Sequence, residues 1–181
     1  SEFDTSSDGG ATEACPCENS LSATIRLSYG DFDYYTGGDA SNNGSGTYSW
    51  KITETAIANA VGQVEAMKAN HHGSHDANGE YLLSTMDPQV LIFQTWNDEH
   101  PHVNTMNRLP GSIPDADVFI TNLDASLRST YPSAATEMFR SESGHYVIRV
   151  APGGAEYYVY VLEDDDESMD VTSVFGPYTC R

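Results

Sequence analysis

The sequence predicts an α/β fold, and three features carry that prediction. A β-hairpin pattern lies near residues 23–36, helix-period segments alternate with short apolar runs between residues 52 and 121, and alternating β signals return after residue 145.

Residues 1–19 are small and polar with no apolar period, and are expected to form a flexible lead-in. Ile25, Leu27 and Tyr29 then alternate with polar residues, Gly30-Asp31 supplies a turn, and Phe32 to Tyr35 resume an aromatic run, which is a hairpin pattern. A Ser/Asn/Gly loop follows Gly37-Gly38-Asp39. Ile52, Ala56, Ile57, Ala60, Val61 and Val64 recur at helical spacing, and residues 64–69 read as a short strand running into Asn70-His71-His72-Gly73-Ser74. A second helix is expected over 79–86, stopped by Asp87-Pro88, then a buried-type strand over 90–94. A third helix over 103–109 is expected to end at Pro110-Gly111, and a strand to occupy 117–121. Residues 122–143 carry only a loop-like signal. The tail returns to β over 146–150, 157–162 and 171–175.

Composition narrows the functional classes. A chain of 181 residues with ordinary apolar content is long enough for one sizeable core. Eight Lys and Arg face 27 Asp and Glu, a formal charge of −19, which repels nucleic acid and anionic membrane surfaces. No apolar run reaches eighteen residues and no signal-peptide pattern opens the chain, so no membrane span is expected. The acidity and the scarcity of lysine would suit a secreted or periplasmic protein, or one from a salty habitat. Cys15, Cys17 and Cys180 lie at the two extremes; a disulfide between Cys180 and either Cys15 or Cys17 is expected, in an oxidising compartment, with one thiol left over.

Two clusters carry chemistry. Asp39 follows an aromatic strand and two glycines, a placement that serves either as a plain turn or as a carboxylate aimed into a cleft, suited to zinc or manganese. His71, His72 and His75 fall within five residues directly after a strand, and read either as a polar loop or as metal-binding imidazoles. The acidic run at 163–167 lacks the alternating pattern of a calcium loop and is expected to be a solvated turn.

The stretches Leu27-Ser28-Tyr29-Gly30-Asp31-Phe32, Thr36-Gly37-Gly38-Asp39, Met67-Lys68-Ala69-Asn70-His71-His72-Gly73-Ser74, His100-Pro101 and Arg108-Leu109 together resemble the second half of metallo-β-lactamase-fold hydrolases. The match is closest to the soluble domain of DNA-uptake competence proteins and its free-standing relatives. That resemblance implies the second half of an αββα sandwich over residues 20–122, followed by a loop and a C-terminal antiparallel β segment over 123–181. It implies Asp39 bridging two metal ions, zinc or possibly manganese, with His71 completing the second ion's shell. His71 is preferred to His72 because related loops keep one histidine there and vary the next residue. His72, His75 and His100 are implied around the same cleft, facing substrate or supporting its loops.

The chain also departs from the family. The motif His-x-His-x-Asp-His and a further His precede the matching Asp in the family, whereas residues 1–38 here contain no histidine. Two readings follow. In one, an N-terminal half on another chain or an upstream segment completes a dinuclear hydrolase for a small ester, amide or phosphodiester. In the other, the chain is a non-catalytic binding or structural module that keeps the half-fold and can form a homodimer through its uncovered sheet face.

Overall fold

The computed structural model describes residues 18–42 and 53–181. The lead-in as far as residue 17, both N-terminal cysteines and most of the loop after Asn42 lie outside the described residues, and the expected disulfide falls there with them.

The hairpin forms as predicted: β1 (Ile25–Tyr29) pairs antiparallel with β2 (Phe32–Thr36), Tyr29 opposite Phe32. Gly30, at φ +61°, takes the left-handed conformation of the two-residue turn. Then follow α1 (Thr53–Val61), β3 (Ala66–Lys68), α2 (Glu80–Met86), β4 (Val90–Phe93), α3 (Val103–Ser112) and β5 (Asp117–Ile120). Two short helices, α4 (Ala125–Arg128) and α5 (Ser133–Thr136), lead to β6 (Phe139–Ser141). One mixed sheet has the order β1-β2-β3-β4-β5-β6, with every pairing from β2 to β6 parallel. The remaining strands, β7 (His145–Val150), β8 (Glu156–Leu162) and β9 (Val171–Thr179), form a separate antiparallel sheet in that order.

Several details differ from the sequence expectation, among them the short helices α4 and α5, which occupy a segment expected to be loop. Helix α3 continues through Pro110 to Ser112: proline removes only its own N–H, and the later Ile113 amide still donates to the Leu109 carbonyl at 2.9 Å. Strand β6 arises where only loop was expected; three residues are too few to show a period.

The parallel strands are apolar on both faces because each face meets a different layer. Met67, Leu91, Phe93, Val118 and Ile120 point to one core with Ala58, Leu82, Leu83, Met86, Met106 and Leu109 from the first three helices. Their alternates Ala66, Val90, Ile92 and Phe119 point to a second core with Tyr157, Val159 and Val161 of β8. The layers are therefore helices, six-stranded sheet and three-stranded sheet. Phe119 packs edge-on against Tyr146 and Phe175, and Phe32 against Tyr157. The small sheet leaves β1 uncovered, so Ile25, Leu27 and Tyr29 are each more than half exposed. A groove of about 460 Å³ runs beside them between the two sheets.

The chain end is fastened to this frame. The Arg181 amide donates to the Glu65 carboxylate at 3.0 Å, and the Gln89 amide donates to the Thr179 carbonyl at 2.9 Å. Cys180 is half-buried against the second core, where burial pushes its thiol up to about 11. Among the described residues no helix is long and apolar enough to cross a membrane.

Docking of the small sheet can be tested at Tyr157. Its fully buried hydroxyl lies 2.9 Å from the Glu65 carbonyl and 3.2 Å from Gln89 Oε1. Tyr157→Phe is expected to cost about 1 kcal/mol in urea unfolding, since it removes the hydroxyl's hydrogen bond to the Glu65 carbonyl; an unchanged midpoint would mean that this contact is absent in solution.

Candidate metal centre at the strand ends

The parallel strands β2, β3 and β4 end at one edge of the sheet, the place where ligands bind in open α/β sheets. Asp39 follows β2, His71 and His72 follow β3, and His100 lies on the loop after β4. Main-chain bonds lock these exits together. The His71 amide donates to the Gly38 carbonyl at 3.0 Å, and the His102 amide donates to the Gly73 carbonyl at 2.9 Å. Lys68, buried at the end of β3, donates to the carbonyls of Gly38 and Ala69 at 3.2 and 2.9 Å. Burial lowers the proton affinity of that ammonium, while Asp39 works to raise it.

The histidine loop is strained and held from several sides. His71 and His72 lie at φ 45° and 53°, a left-handed conformation that costs side chains with a Cβ of order 1–3 kcal/mol each. Asn70 and Asn78 close the loop reciprocally: the Asn70 amide donates to Asn78 Oδ1 at 2.8 Å, and Asn78 Nδ2 donates to the Asn70 carbonyl at 2.9 Å. Beneath them lies Glu54 of α1, 1 % exposed. Its Oε1 accepts from Asn70 Nδ2 and the Asn78 amide, and its Oε2 from the Gly79 amide and Asn42 Nδ2, at 2.6–3.2 Å. Burial still raises the pKa of this carboxyl. From α3, Arg108 donates to the carbonyls of Ala77 and His75, and Thr105 donates to that of Ser74.

Steric room explains the glycines of both motifs. A Cβ on Gly73 would meet the Phe93 ring at 2.8 Å and Pro101 at 2.9 Å, and its φ of +84° excludes other residues as well. A Cβ on Gly37 would fall 2.5 Å from Asn70 Oδ1, where the Tyr35 hydroxyl donates at 3.2 Å.

Within this frame the rings of His71, His72 and His100 form a triangle with centroids 6.1–6.4 Å apart. Each turns Nδ1 toward an oxygen. His72 Nδ1 donates to the Gln94 carbonyl at 2.7 Å, and His100 Nδ1 lies 3.2 Å from Asn97 Oδ1, which also accepts the Glu99 and His100 amides. His71 Nδ1 faces Asp76 Oδ1 at 3.6 Å. A ring nitrogen that donates fixes the tautomer and leaves Nε2 as the free donor atom. Nε2 of His72 lies 3.5 Å from Asp39 Oδ1. Asp39 thus stands beside His72 and also close enough to raise the pKa of His71, while His71 Nδ1 faces Asp76. Asp76 raises the pKa of His71 against the effect of burial. Burial alone would raise Asp76, but His71 and Ser74 hold its carboxyl down to about 2. Burial first, and then repulsion from neighbouring imidazoles, lowers the pKa of His100.

A carboxylate and three imidazoles with free Nε2 atoms are donors suited to zinc or manganese. Their spacing is wider than a closed site. Among the described residues, the trio whose ligand atoms all lie within 4.8 Å is instead Glu163, Asp164 and Asp165, on the turn after β8. There Asp164 accepts the Gly144 amide at 3.1 Å and so serves the turn itself.

His75 lines the adjoining cleft with His71, Asp76, Asp98, Glu99, His100 and His102, and its ring packs on His102 at 5.6 Å. His102 has no partner pattern in the sequence; it caps α3, its Nδ1 accepting the Asn104 amide at 3.1 Å. Trp96, 65 % exposed, packs edge-on against His72 at 4.4 Å.

Two measurements probe this scaffold. Glu54→Ala leaves several buried donors unpaired and is expected to cost about 3 kcal/mol or more in urea unfolding; a loss below about 1 kcal/mol would remove Glu54 from its place as the loop's anchor. His102 must be neutral to cap, and burial, then His75 and Arg108, lower its pKa below 6.5. Its capping contribution is therefore complete above pH 6.5 and is lost as pH falls through the depressed folded value. His102→Ala is expected to cost about 1 kcal/mol at pH 8 and clearly less at pH 5. Equal losses at both would contradict the cap.

No protein-family model matches the chain. Recombination protein 2 of Haemophilus influenzae is 37 % identical over 59 residues, which cover 31 % of this chain and 8 % of that protein. The chain therefore matches only a small fraction of the length of this relative.

Proposed function

We propose that the chain is the C-terminal portion of a metallo-β-lactamase-fold hydrolase, contributing one side of a dinuclear metal site. The observation that carries this reading is the triangle of His71, His72 and His100 beside Asp39, in which every Nδ1 is turned to an oxygen and every Nε2 is left free. Imidazoles oriented in this way by a carbonyl, an amide oxygen and a carboxylate are the usual form of metal-ligating histidines.

The donors from which ligands would be drawn are Asp39 and the three Nε2 atoms, with zinc the expected ion and manganese the alternative. Zinc ions would supply Lewis-acid polarisation and a nucleophile made from water at neutral pH. The chain's own groups hold the donors, and His75 and Trp96 border the space where substrate enters. The adjoining cleft is lined by histidines and carboxylates with no lysine or arginine. That lining and the charge of −19 favour a small ester, amide or singly charged phosphodiester over a polynucleotide. The remaining ligands would come from an N-terminal half, supplied upstream or by another chain, and hydrolysis by this chain alone is expected to be negligible. A second reading, a non-catalytic binding module, draws on the exposed Ile25, Leu27 and Tyr29, which offer an apolar surface to a partner or a second copy.

Zinc competition titration separates the two. Weak binding is expected for this chain, tighter binding after an N-terminal half is added, and a loss of about tenfold or more on Asp39→Ala or His72→Ala. Titrations unchanged by both substitutions would end the hydrolase reading in favour of the module.

A further inference from the structure

The third acceptor in the histidine triangle is a side chain that no motif marks. Asp76 lies in the held loop, its main-chain carbonyl accepting the Asn42 amide at 2.8 Å, so its position is fixed by backbone as well as by packing. Its side chain is nine-tenths buried. Asp76 Oδ1 and His71 Nδ1 are both buried, and neither has a hydrogen-bond partner among the described residues. They face each other at 3.6 Å. Two unpaired buried polar atoms of opposite character at this distance are each other's natural partner, since leaving both unmade is costly.

We propose that Asp76 is a positioning residue: its carboxylate accepts the Nδ1 proton of His71, fixing the tautomer and ring orientation that present Nε2 to the centre. This rests on the hydrolase reading for its purpose, though not for its geometry. His71 then matches His72 and His100, whose Nδ1 atoms are committed to Gln94 and Asn97. A carboxylate differs from those neutral acceptors in raising the basicity of the far nitrogen, so it strengthens His71 as a donor to a cation.

Long-range ¹H–¹⁵N NMR of the histidine side chains of the metal-free chain at pH 8.5 reads the tautomer directly. His71 is expected as the Nδ1–H form in the unaltered chain and in Asp76→Asn, whose amide oxygen still accepts. In Asp76→Ala it is expected to shift toward the Nε2–H form. Zinc affinity is expected to fall about 10- to 100-fold in Asp76→Ala and less in Asp76→Asn. An Nε2–H form of His71 in the unaltered chain overturns the proposal without reference to any variant. So does an unshifted tautomer in a folded Asp76→Ala protein. A shifted tautomer in a protein that takes up no zinc would leave the Asp76–His71 pair standing and remove the metal reading instead.

Discussion

A single buried carboxylate holds the site in shape. Glu54 gathers four donors from Asn42, Asn70, Asn78 and Gly79, and so ties α1 to the loop that leaves β3. Those bonds, with the reciprocal Asn70–Asn78 pair and the Arg108 and Thr105 contacts, offset the cost of placing two successive histidines in the left-handed region. The cost of burying an acid, visible in its raised pKa, is offset by the donors it satisfies. The strain at His71 and His72 is what swings consecutive imidazoles to one edge of the sheet, where Asp39 and His100 also arrive. A softer loop would leave the same residues with no common geometry.

Charge shapes what such a site can receive. A chain at −19 repels polyanions over its whole surface, and Lys68, close to Asp39, is turned to main-chain carbonyls. A substrate approaching the histidines therefore meets carboxylates, imidazoles and an exposed indole. Any anionic group would depend on bound cations for attraction, so metal uptake and substrate affinity belong to one electrostatic account.

Much of the fold was legible because it is written in periodicity. The hairpin, the three longer helices and the strands β3, β4 and β5 follow from apolar spacing, which local sequence displays. Strand β6 was not legible: Phe139, Arg140 and Ser141 become a strand only because β5 offers an edge. The histidines and Asp39 stood out through their clustering beside strand ends. Their supports did not. Glu54, Asn70, Asn78 and Asp76 are ordinary polar residues in the sequence, and the partners of Glu54 lie 12 to 25 positions away. His102 takes a capping place that usually belongs to Ser, Thr, Asp or Asn, so its type gave no signal. Sequence spacing does not carry the ring orientations either: His72 Nδ1 is held by the Gln94 carbonyl while its Nε2 faces Asp39.

The proposed hydrolase site would take up a transition metal at the strand-end cluster and not at another acidic or imidazole group of the chain. Diffraction at the zinc absorption edge from crystals soaked in dilute zinc tests it directly, because anomalous scattering locates the ion without reference to activity. A peak is expected among Asp39, His72 and the neighbouring imidazoles, with each Nδ1 still turned to its oxygen. A peak confined to the Glu163–Asp165 turn, or none at the histidines, would contradict it.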